Sequence, residues 1–363
     1  MTHPTVTFAK NIGFRKALNQ RVDQYFRTNQ IKPRDNPAMY LKTAIITAWI
    51  LAAWIVILVG SPSISLKVLG CIALGLGIAG CGMSIGHDAN HGGYSSSPLV
   101  NNCIGFCYDI IGVSSFLWKF RHNQLHHVYT NLEEYDAEIQ GDGVVRMSPH
   151  TQHQPHHRFQ HVWIWLIYPF IPFYWYIRDT QRVLFNQDYQ EQAPPPMQRS
   201  DYLVFWGGRC LGLLFFVGIP LAMGYSCLEI ALGLSIVYMT YGAIVCEVFM
   251  LAHVVEAVEF PQPNPESHQI EDEWAIFQVK TTADFAPRNP LLNWYLGGLN
   301  YQAIHHLFPQ VCHIHYPQLA PIVAEVCEEF GVNYCVYPTF RAAIASNYRW
   351  LRLMAMGGEA TAL

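Results

Sequence analysis

Four long apolar stretches dominate the pattern of hydrophobic and polar positions along the chain. Each has about the 20 mostly apolar residues that a membrane-spanning helix needs, and Glu247 is the one acid inside them. A short Ser/Pro turn separates the first two, and the last two form a second pair, so we expect two helical hairpins. The predicted spans are residues 43–60, 68–86, 210–227 and 230–252.

Two further segments carry apolar residues in patterns that do not predict spans. Residues 161–177 are rich in Trp and Tyr but contain Pro169 and Pro172, which fits an interfacial or partly buried segment better than a fifth span. Near the N-terminus, apolar residues recur every four positions amid Arg and Lys. This spacing predicts an amphipathic helix that lies on the inner membrane surface or packs on the aqueous part of the protein. Its apolar residues are Phe14, Leu18, Val22 and Phe26.

Composition agrees with a membrane protein that has a substantial aqueous part. Of 363 residues, 51% are hydrophobic and only 13% are charged, about half of the charge of an average soluble domain. The net charge of −4 excludes a basic nucleic-acid binder, so no nucleic-acid partner is expected. The ten cysteines include no CxxC pair, and we expect them to be reduced. We interpret residues 1–363 as one domain.

Basic residues predict the orientation. If the two hairpin turns face outside, they contain one cation, Lys67, and the remaining 21 of the 22 Lys and Arg lie on the other side. The positive-inside rule makes that side cytoplasmic. Both termini are therefore predicted to be cytoplasmic.

Histidines form three clusters on the predicted cytoplasmic side: HxxxH at residues 87–91, HxxxHH at 122–127 and QxxHH at 302–306. Residues i and i+4 share a helix face, so each pair can offer two imidazoles to one metal. Eight imidazoles are too many for one catalytic zinc and suit two metals, although imidazole alone does not name the metal. The eight are His87, His91, His122, His126, His127, His253, His305 and His306.

A fourth histidine-rich stretch is predicted to have no metal role. His153, His156 and His157 also form an HxxHH pattern, with His150 and His161 nearby, but Pro155 separates the histidines and polar residues surround them. We expect a solvated loop. The HExxH, ExxH and P-loop motifs of other enzyme classes are absent from the sequence.

The motifs GHDANH (86–91), RHNQLHH (121–127) and NYQAIHHLFP (300–309) resemble the three boxes of membrane fatty-acid desaturases. Gln302, in place of the first His of the third box, resembles the front-end subgroup. That subgroup desaturates between an existing double bond and the carboxyl end. The stretches DEWAIFQVKTTADFA, HHLFPQVCHIHYPQL and VYPTFRAAIASNYRWL are similar to those of cyanobacterial acyl-lipid delta-6 desaturases. The resemblance covers about residues 13–354.

The resemblance implies an all-α integral membrane protein of four spans in two hairpins, with a cytoplasmic helical domain carrying a di-iron site. It implies two non-haem iron ions, O2 as co-substrate, and insertion of a cis double bond at the delta-6 position of lipid-linked C18 chains. Linoleate would become gamma-linolenate, and alpha-linolenate would become stearidonate. The iron ligands would be the eight histidines, with Gln302 as a ligand or a neighbouring group.

The resemblance also bears on electron supply and location. The HPGG haem motif of cytochrome b5 is absent from the sequence, so no fused cytochrome b5 domain is expected. Electrons would come from a separate protein, by analogy ferredoxin. The expected location is the plasma membrane, the thylakoid membrane or both.

Weaker hypotheses concern four residues beside the boxes, Asp88, Asn123, His313 and His315. All four are predicted to orient metal-bound imidazoles; the alternative is a solvated polar residue for Asp88 and Asn123, and a plain structural role for His313 and His315. A water-poor tunnel for the acyl chain would be lined by Trp118, Trp294 and Tyr295, which could equally be ordinary core residues.

Three other functions remain open at this stage. A fatty-acyl hydroxylase or a desaturase of other regiochemistry would use the same di-iron core. A membrane metal transporter would place polar ligands near the bilayer midplane, whereas these histidines lie at the predicted helix ends.

Overall fold

The structure is a computed structural model that describes residues 5–59, 63–185 and 193–358. It is mostly helical. The helices are α1 (Phe14–Thr28), α2 (Pro37–Val59), α3 (Ile64–His91), α4 (Pro98–Ile111), α5 (Ser115–Tyr129), α6 (Gln160–Ile167), α7 (Ile171–Phe185), α8 (Arg199–Ala222), α9 (Cys227–His253), α10 (Trp274–Lys280), α11 (Pro290–Leu296), α12 (Gln302–Leu307), α13 (Tyr316–Phe330) and α14 (Phe340–Ala355).

Short elements complete the described chain. Two-residue strands form two parallel pairs: β1 (Thr7–Phe8) with β2 (Gln269–Ile270), and β3 (Asp284–Phe285) with β4 (Val336–Tyr337). Single 3-10 turns occur at Gly141–Gly143, Pro155–Phe159, Tyr168–Phe170 and His313–His315.

Four helices, α2, α3, α8 and α9, are long and apolar enough to cross a membrane, which confirms the number of predicted candidate spans. The third prediction, residues 210–227, had the wrong bounds. The helix begins earlier, at Arg199, and its first turns contain polar residues that an apolar pattern does not detect. It also ends earlier, at Ala222, and the chain turns at Gly224 in the left-handed region (φ +91°). Ser226 then starts α9 by accepting a hydrogen bond from the backbone N–H of Glu229. Residues 60–62, at the end of the first predicted span, lie outside the described residues.

Small residues bring the candidate spans close together. Along α3, Gly70 faces Ile57 and Gly77 faces Ile50, so α2 runs antiparallel to α3. A Cβ atom at Gly75 would lie 2.6 Å from the carbonyl oxygen of Val237, a separation that only glycine allows. Since Cys71 contacts Gly233 on the same side, α3 and α9 run in the same direction. Their C-terminal ends, which carry histidines, therefore lie at the same end of the bundle.

Helices α4 and α5 form a bent pair that the sequence analysis did not predict. The two axes differ by 107°, and the chain turns at Gly112 with φ +98°. Together the pair is apolar enough to count as a broken span or a re-entrant loop. This bend carries the second histidine cluster back toward α3.

The N-terminal amphipathic helix α1 packs its apolar face on protein, so this face is not free to lie on the membrane surface. Its apolar face is buried, with Phe14 and Leu18 fully covered, because α13 presents a matching apolar face that includes Leu319 and Val323. The rings of Phe14 and Phe330 meet edge to face at 5.5 Å. Of the two predicted positions, packing on another part of the protein is the one observed.

Residues 161–177 form α6 and the start of α7, joined by the turn Tyr168–Phe170. Neither helix is among the four candidate spans. One side is buried through Ile164, Tyr168 and Pro172, while the other side is exposed. The segment is partly buried, as predicted.

Candidate metal centre

The ends of four helices bring the histidine clusters together. His87 and His91 close α3, His253 closes α9, α5 carries the second cluster and α12 carries the third. All eight histidines are buried, with exposed fractions between 0% and 8%. The sequence clusters, far apart along the chain, therefore form one buried group.

Widened helical turns precede or contain the first two clusters. A π turn spans Cys81–Gly86 directly before His87, and another spans Lys119–His126; π turns are frequent at functional sites because they rotate the following side chains. The Tyr108 hydroxyl donates to the Gly82 carbonyl oxygen (3.0 Å). A Cβ atom at Gly86 would lie 2.5 Å from the Tyr108 ring, so glycine lets α4 support this turn closely.

The imidazoles divide into overlapping sets whose candidate ligand atoms all lie within 4.8 Å of one another. The first set contains histidines from all three boxes, and the second contains His253 at the end of α9. The third set contains His127 and shares His305 with the first set and His306 with the second. The sets are His87, His91, His122 and His305; His126, His253 and His306; and His127, His305 and His306.

The unpartnered nitrogens in this cluster fit metal ions. Six of the eight imidazoles have a buried ring nitrogen with no hydrogen-bond partner among the described residues, an arrangement that normally costs free energy. Metal coordination would satisfy these lone pairs, and imidazole is a common ligand of Fe, Cu, Zn and Ni. The atoms are Nδ1 of His87, His127 and His253 and Nε2 of His91, His126 and His306.

Electrostatics favour the metal-binding form of the third box. Burial, together with the neighbouring imidazoles, lowers the pKa of His305 and His306 well below the ordinary value for histidine. Both rings are therefore neutral near pH 7. A neutral imidazole keeps the lone pair that a metal requires.

Three side chains that the sequence analysis missed orient these imidazoles. His126 Nδ1 lies 2.9 Å from Asp136 Oδ2, His306 Nδ1 lies 2.7 Å from Gln278 Oε1, and His305 Nδ1 lies 3.3 Å from the Tyr316 hydroxyl. Such partners fix the ring orientation and the tautomer of metal-binding histidines. The acid-rich run after the second box was a signal for Asp136, whereas no local pattern marks Gln278 or Tyr316.

An ion pair between buried Arg121 and partly buried Glu138 lies beside the second box. Arg121 Nε donates to Glu138 Oε1 at 2.7 Å, and the same oxygen is 3.9 Å from His122 Nδ1. Burial alone would raise the pKa of Glu138, but the Arg121 guanidinium outweighs it and the pKa is lowered. Glu138 is therefore ionised next to His122.

Asp284 anchors the third box. Its carboxylate accepts from the backbone N–H of Ala303 at 3.0 Å, and the Tyr334 hydroxyl donates to its other oxygen. Burial raises the pKa of Asp284 to about 7. This contact fixes the first turn of α12, which starts at Gln302.

The residues predicted to orient imidazoles lie close to the cluster but bond elsewhere. Asp88 Oδ2 lies 2.8 Å from His313 Nδ1, and His313 Nε2 lies 2.8 Å from Lys42 Nζ. Asn123 donates to the Asn90 carbonyl oxygen at 3.1 Å. His315 Nε2 is 3.3 Å from the amide of Asn36. Within the described chain, these contacts tie the ends of α2, α3 and α5 and the turn after α12 to one another rather than to the eight imidazoles.

Gln302 lies inside the cluster. Its amide nitrogen is 2.8 Å from His253 Nε2, the side chain is 4% exposed, and it lines a cavity beside the histidines. This position places a neutral amide next to the set that contains His253.

A cavity of about 440 Å³ reaches the cluster at His87, His122 and Gln302. Its walls are mostly apolar and aromatic. Trp118 is part of this wall and stacks on His122, with ring centroids 4.4 Å apart.

The other two residues predicted to line the tunnel pack elsewhere. Trp294 lies under the Lys42 ammonium, 5.3 Å from Nζ. The Tyr295 hydroxyl donates to the Leu76 carbonyl oxygen at 2.8 Å. Neither belongs to the wall of the 440 Å³ cavity, because α11 packs on α2 and α3 rather than on α6 and α7.

The stretch His153–His157 is not the fully solvated loop that was predicted. It includes the 3-10 turn Pro155–Phe159, and His157 is buried. His156 and His157 both donate to the Gly143 carbonyl oxygen, at 2.9 and 3.1 Å. None of these histidines belongs to a potential metal-binding set in the described chain.

The comparison with known proteins decides the family. The fatty acid desaturase family model matches residues 62–338. This chain belongs to the fatty acid desaturase family.

The desaturase is 55% identical over 362 residues to the sn-1 linoleoyl-lipid 6-desaturase of Arthrospira platensis, covering 100% of this chain and 98% of that protein. It is 51% identical over 354 residues to the protein of the same name from Synechocystis sp., covering 98% and 99%. A more distant relative, the acyl-lipid (8-3)-desaturase of Physcomitrium patens, is 33% identical, covering 96% of this desaturase and 73% of that protein. The resemblance seen in the sequence is confirmed.

Proposed function

We propose that this desaturase inserts a cis double bond at the delta-6 position of lipid-linked C18 acyl chains, converting linoleoyl chains to gamma-linolenoyl chains and alpha-linolenoyl chains to stearidonoyl chains. The observation that carries the proposal is the meeting of all three histidine boxes in one buried cluster beside an apolar cavity. Two 6-desaturases of linoleoyl lipids that match nearly the whole chain at 55% and 51% identity support the position and the substrate class.

The residues of the cluster would hold two iron ions. One would be bound by His87, His91, His122 and His305, the other by His126, His253 and His306, with His127 between the two sets. When bound, two irons supply the redox chemistry that couples reduction of O2 to oxidation of an unactivated hydrocarbon. Metal analysis of the purified protein tests this: we expect about two irons per chain and no haem absorption.

The protein contributes ligand orientation. Asp136, Gln278 and Tyr316 each hold one imidazole by its second nitrogen, leaving the other nitrogen aimed into the cluster. Since these contacts fix the rings before a metal binds, little reorganisation is required. This arrangement also excludes water from the site, because the eight rings are buried.

The cavity contributes substrate position. Its apolar wall suits an acyl chain, and it reaches the cluster at His87 and His122, so one part of the chain would be held against the metals. Holding a reactive bond in place supplies a large share of an enzyme's rate advantage. The reaction removes two hydrogen atoms from adjacent methylenes. With two electrons from a donor and two protons, these reduce O2 to two water molecules.

The electron donor is proposed to be a separate protein, ferredoxin. Turnover by the purified desaturase with O2 and reduced ferredoxin tests this. Desaturation that proceeds with cytochrome b5 but not with ferredoxin would contradict it.

The candidate spans are proposed to form two hairpins in a plasma or thylakoid membrane, with both termini in the cytoplasm. Tags at residues 63 and 226 should be accessible only from the outer face, and tags at residues 5 and 150 only from the cytoplasmic face. A residue 150 that is accessible from outside would contradict the orientation.

Expression in a host fed linoleate tests the reaction itself. Mass spectrometry of the lipids should show a new double bond at position 6. A hydroxylated chain would favour an acyl hydroxylase, and a double bond at another position would overturn the regiochemistry.

A further inference from the structure

One side of α6 and α7 is apolar and exposed, although neither helix is among the candidate spans. Its side chains follow one another at intervals of three, four or seven residues and are exposed by 42% to 72%. At helical spacing they share one side of the segment. We call this side the α6–α7 stripe, and it consists of Val162, Leu166, Phe170, Tyr174, Ile177 and Leu184.

The composition of the segment is that of a membrane interface. Exposed apolar surface of this length is uncommon on a protein in water and marks an interaction site. Half-buried Trp163 and Trp165 flank the stripe, and Trp is enriched at the level of lipid headgroups. Arg158 precedes the stripe and is exposed, as expected next to anionic headgroups.

The stripe also meets the cavity that reaches the histidines. Phe170 and Tyr174 are 53% and 42% exposed, and both belong to the cavity wall. Side chains that face both the outside and the interior mark the rim of an opening. The rim is therefore part of the exposed apolar stripe.

We propose that the α6–α7 stripe lies in the acyl layer of one membrane leaflet and that the cavity opens into this leaflet beside Phe170 and Tyr174. A lipid-linked acyl chain then enters sideways from the membrane and reaches His87 and His122 without crossing water. This inference rests on the proposed function for the identity of the chain that enters.

Photo-crosslinking tests contact with lipid independently of activity. A benzophenone amino acid would replace Leu166 or Phe170 in the full-length protein, reconstituted in phosphatidylcholine vesicles with linoleoyl chains. Ile12 is the matched control, since it is 66% exposed but lies outside the stripe. We expect lipid adducts at positions 166 and 170 to exceed those at position 12 by about tenfold or more, because the partition of apolar side chains favours the acyl layer. Equal yields at the three positions would overturn the proposal.

A pair of substitutions tests the opening. Phe170→Arg places a cation at the rim, whereas Leu184→Arg places it on the same stripe away from the cavity, at a similar exposure of 58%. A charged side chain in an apolar layer is costly, so both variants weaken lipid contact, but only the first blocks the rim. We expect turnover of Phe170→Arg to be about tenfold or more below that of Leu184→Arg, at equal iron content.

Equal turnover of the two variants would overturn the opening at Phe170. A wild-type protein that binds iron but desaturates no lipid would overturn the proposed function instead, and the lipid adducts would still measure the position of the stripe.

Discussion

Two regions of this desaturase place histidines at the same short spacings, yet their ring nitrogens meet different partners. In the buried cluster, six imidazoles keep a nitrogen without a hydrogen-bond partner among the described residues. In the stretch 150–157, each histidine instead donates to a backbone carbonyl oxygen, at 2.7 to 3.1 Å. These are His150, His153, His156 and His157. Ring proximity does not separate the regions, since the rings of His156 and His157 are 4.3 Å apart.

The difference follows from what surrounds each region. Carbonyl groups at helix ends lack partners within the helix, and His153 donates to one of them, Ala355 at the end of α14. In the cluster, by contrast, helix ends bring imidazoles against imidazoles. Metal-binding capacity therefore depends on lone pairs that no protein donor uses, and the spacing of histidines alone does not define it.

The largest expected effect is the loss of a box histidine. His126→Ala or His305→Ala should abolish desaturation and lower the iron content, because each removes an imidazole that no neighbour can replace. The loss of activity should be larger than that for residues that only support a ligand, which is typically about 10- to 100-fold. Desaturation assays and iron analysis on the same membrane preparations measure this.

Folding must be followed in the same variants. His126→Ala also leaves Asp136, which is fully buried, without its imidazole partner, whereas His305→Ala removes contacts to two uncharged partners, the Tyr316 hydroxyl and His127 Nε2. The amount of membrane-inserted protein should stay near wild type in His305→Ala. Turnover above trace level in either variant would contradict its assignment as a ligand.

The second effect concerns Gln302, next to His253. Gln302→Ile keeps the size of the side chain but removes both its carbonyl oxygen and its amide N–H. We expect it to lose most activity without unfolding, because the 2.8 Å contact with His253 Nε2 disappears. Gln302→His restores a group that can bind metal or hydrogen-bond, and should retain more activity than the isoleucine variant. Turnover and iron content of the two proteins are compared side by side.

Near-normal turnover of Gln302→Ile would mean that the amide only fills space. The glutamine of the third box would then be a family marker with no part in the chemistry of this protein.

A smaller effect is expected for a residue that supports a ligand. Asp136→Asn keeps the size of the side chain but removes the negative charge that His126 Nδ1 faces at 2.9 Å. Iron affinity or turnover should fall by about 10- to 100-fold. Asp23→Asn, on the exposed side of α1, is the control and should change neither. An Asp136→Asn protein with wild-type iron binding would show that the carboxylate does not tune the ligand.

These supporting residues also show which parts of the site could be predicted from the sequence. Apolar length predicted four candidate spans, and the i, i+4 spacing predicted the box histidines, because both signals are local. Gln278 and Tyr316 could not be predicted, since they reach His306 and His305 only through the tertiary packing of α10 and α13 against α12.

For two other segments the packing partners could not be predicted either. The periodicity of α1 predicted an apolar face but not its partner, and α13 rather than the membrane covers it. Trp294 and Tyr295 have the chemistry of a tunnel wall, yet the packing of α11 directs them toward Lys42 and Leu76.

In the stretch 150–157, replacing the buried His157 should lower stability and leave iron binding intact. His157 donates to the Gly143 carbonyl oxygen and accepts from the backbone N–H of Gln154 at 3.0 Å. His157→Ala removes both partners and should lower the free energy of unfolding by about 1–3 kcal/mol. Thermal unfolding measures the loss, and iron analysis should give the wild-type ratio. If His157→Ala lost iron but kept the wild-type stability, His157 would act as a metal ligand and not as a structural residue.

The smallest effect is expected at the exposed histidines of the same stretch. His153 and His156 lie at the surface, where each ring N–H donates to one backbone carbonyl oxygen. Substitutions at such positions usually change stability by about 0.5 kcal/mol or less, so His153→Ala and His156→Ala should keep activity within about twofold of wild type. The iron content per folded protein is the more informative measurement, because it distinguishes a variant that is less stable from one that has lost a metal ligand. If either variant lost iron while the box variants kept it, the metal centre would lie in this stretch, and the unpartnered nitrogens of the buried cluster would need another explanation.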